Sequence, residues 1–155
     1  MEGKVCGNSW WFCKCVSTQN KIGEVMLYHL SINRRLKVLT PRVPEYPAFY
    51  EDKKTKRICF SDFIEGCLSS LQDIPNKFYV YVPENTVPES DIHIPNVDEV
   101  RNAKINHEIW VMKEIKVKCI GIIQTENWDW SKQHNSGRGR VTFFHYPYKW
   151  IEKNE

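Results

Sequence analysis

Apolar positions along the chain fall into short runs between Pro-rich and charged stretches, and one run carries a helical period. Residues 62–71 open with Asp62 and Glu65 three positions apart, the spacing of a capping box. Ile64, Cys67, Leu68 and Leu71 then recur at i, i+3, i+4 and i+7, one buried helix face, and Pro75 stops it. The other runs read as strands: 10–16, 24–30 (EVMLYHL), 57–60 (RICF), 77–82 (KFYVYV), 107–112 (HEIWVM), 115–123 and 140–146. Within 107–112, alternation sends Ile109 and Val111 one way and Glu108, Trp110 and Met112 the other. Residues 33–56, with Pro41, Pro44, Pro47 and many Lys and Arg, read as a long loop, either functional or wrapping the domain. Residues 83–106 are Pro-punctuated, with a short helix expected near 97–102, and 127–139 form a polar loop. The pattern predicts a strand-rich α+β single domain with one principal helix. It divides into an N-terminal extension (1–20), a core (21–125) and an aromatic, basic strand and tail (126–155).

Composition narrows this picture little. The 155 residues suffice for one core, and 41% hydrophobic with 26% charged residues are globular values. The charge balance, 22 − 19 = +3, is too mild for a general binder of nucleic acid or anionic membranes. An aromatic fraction of 13% asks for either an aromatic core or an exposed recognition surface. The apolar run 117–123 falls far short of the ~20 residues a membrane-spanning helix needs, and the first residues lack a signal-peptide pattern. A cytoplasmic protein is therefore expected. Cys59, Cys67 and Cys119 lie inside apolar runs and read as buried free thiols. Cys6, Cys13 and Cys15 lack the paired knuckles of a zinc site, so no metal is expected.

The chain has no phosphate loop, dinucleotide glycine motif, His-Glu-x-x-His or nucleophile elbow. It does carry an ordered set of segments: Tyr28-His29-Leu30-Ser31 at a strand end, Pro41-Arg42 opening the long loop, Cys59-Phe60-Ser61 leading into the helix, and His107-Glu108 on a late strand. Over residues 24–125 this order resembles the ADP-ribosyltransferase superfamily, small bacterial or phage members included. The resemblance implies a split sheet binding NAD, with His29 and Glu108 as catalytic residues. His29, Ser31, Arg42, Phe60 and Ser61 would line the cofactor site. It departs at Leu30, where the family's opening has Gly.

The chemistry implied is cleavage of the nicotinamide–ribose bond through an oxocarbenium-like state, as in glycoside cleavage. Glu108 would hold the ribose 2′-hydroxyl and offset the developing positive charge, and His29 would orient the ribose. Arg42 suits a pyrophosphate through its guanidinium fork, and Ser61 opens the helix where an anion is favoured. The implied partner is a macromolecular acceptor, protein or nucleic acid. Plainer roles fit each residue too: His29 bonded to backbone at a strand end, Glu108 facing solvent, Arg42 in a surface ion pair, Ser61 as a cap. A different class of function is also consistent. Arg138, Arg140 and Lys149 interleave with Phe143, Phe144, Tyr146, Tyr148 and Trp150, a pattern that serves a non-catalytic protein- or nucleic-acid-binding module or a core strand with a basic edge.

Overall fold

The computed structural model describes residues 25–45, 47, 50–70, 76–125, 135–136, 140–141 and 148–152. In chain order the elements are β1 (His29–Ser31), β2 (Val38–Leu39), β3 (Ile58–Ser61), α1 (Ile64–Ser69), β4 (Lys77–Pro83), β5 (Ile92–His93), α2 (Ala103–Asn106), β6 (Glu108–Val111), β7 (Ile115–Thr125), β8 (Asn135–Ser136), β9 (Arg140–Val141) and β10 (Tyr148–Glu152). The architecture is a small, strand-rich α+β one. One sheet runs β1-β4-β7-β10, with β2 also paired to β7; a second runs β3-β6-β5; β8 and β9 pair with each other. Every pairing is antiparallel. Among the described residues the two larger sheets are joined at a bridge where Tyr28 N–H donates to the Ser61 carbonyl (2.8 Å) and Ser61 N–H to the Tyr28 carbonyl (3.1 Å).

Side chains from both sheets build the first core cluster, with Ile58, Phe60 and Val111 packed against Tyr81, Val117 and Leu27. A second cluster joins Leu68 of α1 to Leu30, Phe78, Val80 and Ile123. A third puts Val100 and Ala103 over Trp110, with Cys59 and Met112 at its margin. The sides expected for 107–112 are the sides observed: Ile109 and Val111 join the first cluster, Trp110 and Met112 the third. Strand β7 serves both clusters, as its partner β4 does by alternation, and its register with β4 slips at Val80/Tyr81. Val80 sits opposite Gly121 and Tyr81 opposite Cys119, so Ile120 is the extra residue. Val117 and Cys119 therefore contact the first cluster, Ile120 and Ile123 the second.

Several expectations shift. The helix is shorter than 62–71 and its capping box does not form. Phe63, extended at φ −148° and ψ 151°, is the N-cap and makes no side-chain cap bond. Asp62 instead accepts from His107 Nδ1 at 2.9 Å, because β3 carries it past Ser61 to the end of α2. Leu71 and Pro75 lie outside the described residues. The second helix forms at 103–106, not 97–102, and ends on His107 in the left-handed conformation at φ 48°. The strand expected at 24–30 is regular only from His29, and among the described residues no strand pairs with 25–27. The loop 33–56 includes the short strand β2, and its Arg42 bridges Arg57. Of the strand expected at 140–146, Arg140 and Val141 form β9, and the tail contributes β10. The strand expected at 10–16, the whole of 1–20 and Cys6, Cys13 and Cys15 lie outside the described residues, whereas Cys59, Cys67 and Cys119 are free thiols. Among the described residues no helix is long and apolar enough to cross a membrane.

Candidate functional site

His29 lies where the two sheets join. Its Nδ1–H donates to the Cys59 carbonyl at 2.9 Å, so the neutral ring keeps Nε2 as an acceptor. Burial holds the imidazole below its ordinary pKa range, and the Arg42 charge adds to the lowering, while the Cys59 carbonyl works the other way. The Phe60 ring stands 5.6 Å away, tilted by 55°. Strand alternation explains the meeting: His29 and its partner Tyr81 lie on the side of β1 and β4 that looks toward Phe60. Arg42 is exposed, and its backbone exchanges two 3.1 Å bonds with that of Arg57. Ser31 Oγ accepts from Asn33 N–H at 3.1 Å and starts a tight turn. The buried Tyr81 pegs that turn from beneath: its hydroxyl donates to the Asn33 carbonyl (2.6 Å) and accepts from Leu36 N–H (3.3 Å).

Ser61 and Glu108 are cross-strand partners on β3 and β6. Neither faces solvent. Ser61 is buried and its Oγ donates to the Asn106 carbonyl at 2.7 Å. Glu108, 6% exposed, accepts from the Trp110 indole N–H at 2.7 Å through Oε1. The Asn106 amide lies beside Glu108 Oε2. It is satisfied with Nδ2 donating to the carbonyls of Asn102 (2.7 Å) and Ala103 (3.1 Å), and with Oδ1 accepting from Ser70 Oγ (2.8 Å). In that orientation no nitrogen donor among the described residues reaches Oε2. The side chains of Cys59, Ser61, Glu108 and Trp110 share one side of β3 and β6, opposite Phe60 and Ile109. The structure thus brings His29 and Phe60 together at the junction of the sheets, with the Arg42 charge felt at His29, and leaves Ser31 in a turn beyond it. It sets Ser61 and Glu108 in the adjoining strands but on the side covered by the helices.

Two residues that the motif reading passed over stand behind Glu108. Arg57 is 2% exposed, and its guanidinium carbon lies 4.1 Å from the Trp110 ring centroid. It pairs with Glu51, and its Nη1 donates to the carbonyls of Asp52 and Thr55, both at 3.1 Å. Asp52 in turn orders this loop by accepting from the backbone N–H of Thr55 (2.6 Å) and Lys54 (2.9 Å). These bonds, and to a lesser degree the Arg57 charge, hold its carboxyl below the usual range. A charged residue opening the apolar run RICF, and a Trp two positions after Glu108, were the available signals: i and i+2 share a strand face. The Cys59 thiol beside them is pushed up to about 12, by burial first and the Glu108 charge second. No family model matches this chain, and neither the curated proteins nor the solved structures contain a match to it.

Proposed function

We propose that this chain is an NAD-dependent ADP-ribosyltransferase, built on a split sheet of that superfamily's kind and acting on a macromolecular acceptor. One observation carries the reading. Tyr28 bridges Ser61, and Ser61 pairs with Glu108, so three segments distant in sequence form one lateral row across β1, β3 and β6. His29 is the next residue along from that row. Neutral His29 offers Nε2 to a ribose hydroxyl, and the Phe60 ring gives an apolar wall for the nicotinamide. Exposed Arg42 meets the pyrophosphate through its fork. Glu108, held through one oxygen on the helix-covered side of β6 opposite Phe60, would on this reading act as a buried charge that offsets the positive charge developing as the glycosidic bond stretches, without touching the ribose. Ser61 contributes by fixing β3 to the end of α2, since its hydroxyl is already spent.

A second reading draws on the same geometry. Glu108 and Ser61 both satisfy internal partners, as they would in a non-catalytic binding module whose residues here only hold the scaffold. The two readings separate cleanly. On the transferase reading NAD raises the melting temperature by mass action, and nicotinamide is released in the presence of an acceptor. Glu108→Gln then lowers kcat by about a hundredfold, roughly 3 kcal/mol, with little change in NAD affinity. Exposed Glu114→Gln is the silent control. No thermal shift with millimolar NAD and no nicotinamide release from cell extract would replace this reading by the binding module.

A further inference from the structure

Positive charge gathers on one part of the surface, although the chain as a whole carries only +3. Arg34 and Arg35 occupy the turn after β1, Lys37 leads into β2, and Lys116 and Lys118 lie on β7; all five are exposed. The pairing of β2 with β7 brings them together. Val38 is the register partner of Lys116, and the Lys37 carbonyl accepts from Val117 N–H at 2.9 Å, so Lys37 runs beside the segment that carries both lysines. Alternation turns Lys116 and Lys118 to one face, opposite the buried Val117 and roughly 7 Å apart. Among the described residues none of the five is paired with a carboxylate. Two carboxylates adjoin them along the backbone: Glu84, whose N–H donates to the Lys116 carbonyl at 3.0 Å, and Glu114, whose Oε2 accepts from the Thr40 hydroxyl at 3.1 Å. The turn that carries the arginines is firmly held. Asn33 Oδ1 accepts from Arg35 N–H at 3.0 Å, and the fully buried Tyr81 hydroxyl ties the Asn33 carbonyl to Leu36 N–H. Adjacent like charges repel, so the fold places this turn against an electrostatic cost, and its backbone needs no further ordering to meet a partner.

We infer that this surface binds the phosphate backbone of a nucleic-acid duplex without reading its sequence. Unpaired cations spread over a turn and two adjoining strands fit a ligand whose anions repeat at close spacing. The arginine forks take phosphate oxygens in pairs, and the lysines act as point charges. A duplex is favoured over a single strand for two reasons. It offers one negative charge per about 1.7 Å of its axis, and residues 31–40 and 114–118 contain no aromatic ring on which an unpaired base could stack. A membrane surface fits less well. Ile32 and Val38 are the exposed large apolar side chains here, without the Trp, Phe or Leu face that sinks into a bilayer. The inference stands apart from the transferase reading, since the surface uses neither His29 nor Glu108 and its binding is measured without NAD.

The test is fluorescence anisotropy of a short labelled DNA duplex of mixed sequence, titrated with the full chain. A Kd of about a micromolar at low salt is expected, with log K falling against log salt at a slope of about −3 to −4.5, the signature of three to five neutralised phosphates. Arg34→Gln with Arg35→Gln, and separately Lys116→Gln with Lys118→Gln, should each weaken binding about tenfold or more and flatten the slope by about 2, without lowering the Tm. Lys54→Gln with Lys104→Gln removes the same charge from exposed positions in other elements and should change Kd less than about twofold. Absence of binding at low salt, a loss confined to one of the two patch pairs, or an equal loss in all three pairs would overturn the inference. So would a single strand bound more tightly than the duplex, or anionic vesicles bound in its place.

Discussion

The second proton of His29 would have to enter a desolvated slot, with Nδ1–H already committed to the Cys59 carbonyl. Burial lowers its pKa in the folded state, and Arg42 lowers it further. The unfolded chain therefore binds that proton more readily, with a pKa near ~6.5. Stability from this residue is whole above pH ~6.5 and is lost as pH falls from there toward the depressed folded value. Asp52 and Glu99 are depressed as well, Asp52 chiefly by the Thr55 and Lys54 N–H groups and Glu99 by the Asn96 N–H and His93. Their contribution is present above about pH 4 and goes as pH drops through their folded values. Urea midpoints measured from pH 8 to pH 3 should thus fall in two stages, and His29→Gln should abolish the upper stage alone. A single stage in the wild type would mean that His29 protonates in the fold without cost. Residue roles were legible in the sequence where a side chain's partner is set by strand alternation, as for Ile109, Val111 and Trp110. They were hidden where the partner comes from a distant turn. Nothing near Ser61 in sequence says that its hydroxyl will be taken by the Asn106 carbonyl 45 positions on.

At the scale of elements, the helix period was readable from Ile64, Cys67 and Leu68, and its start was not. A capping box needs its first acid at the N-cap, and here the chain enters extended through Phe63 while Asp62 turns to His107. What sets the helix is close approach. A Cβ on Gly66 would stand 2.3 Å from both the Asn106 carbonyl and Ser61 Oγ, so α1 lies directly against the end of α2 and the end of β3. Gly66→Ala should therefore lower stability by about 1–3 kcal/mol, although alanine is the better helix former. Chemical denaturation is the measurement, and a stabilised Gly66→Ala would show that propensity outweighs the contact. The short helix α2 was misplaced by several residues for a related reason. Its end is fixed by His107 in the left-handed conformation and by tertiary partners, and four residues carry too little periodicity to read.

Across the whole molecule, strand-rich α+β architecture could be read from the run lengths, whereas the sheet order could not, because antiparallel pairing leaves partner choice to long-range packing. The same packing governs the thiols. Burial raises the pKa of Cys59 to about 12 and that of Cys67 higher still, so both stay protonated near neutral pH. Pulsed alkylation with peptide mapping should find both unlabelled in the native protein and labelled in denaturant; fast native labelling of either would place it outside the core. The place of β7 in the sheet has a consequence of another kind. Because that one strand closes the first cluster with Val117 and the second with Ile123, and pairs with β2, β4 and β10, neither cluster is complete until it arrives. During synthesis β2 and β4 leave the ribosome before their shared partner β7 emerges. The nascent chain therefore waits with β2 and the β7-facing edge of β4 unpaired, a window in which a chaperone that covers bare strand edges would set how much protein reaches the native state.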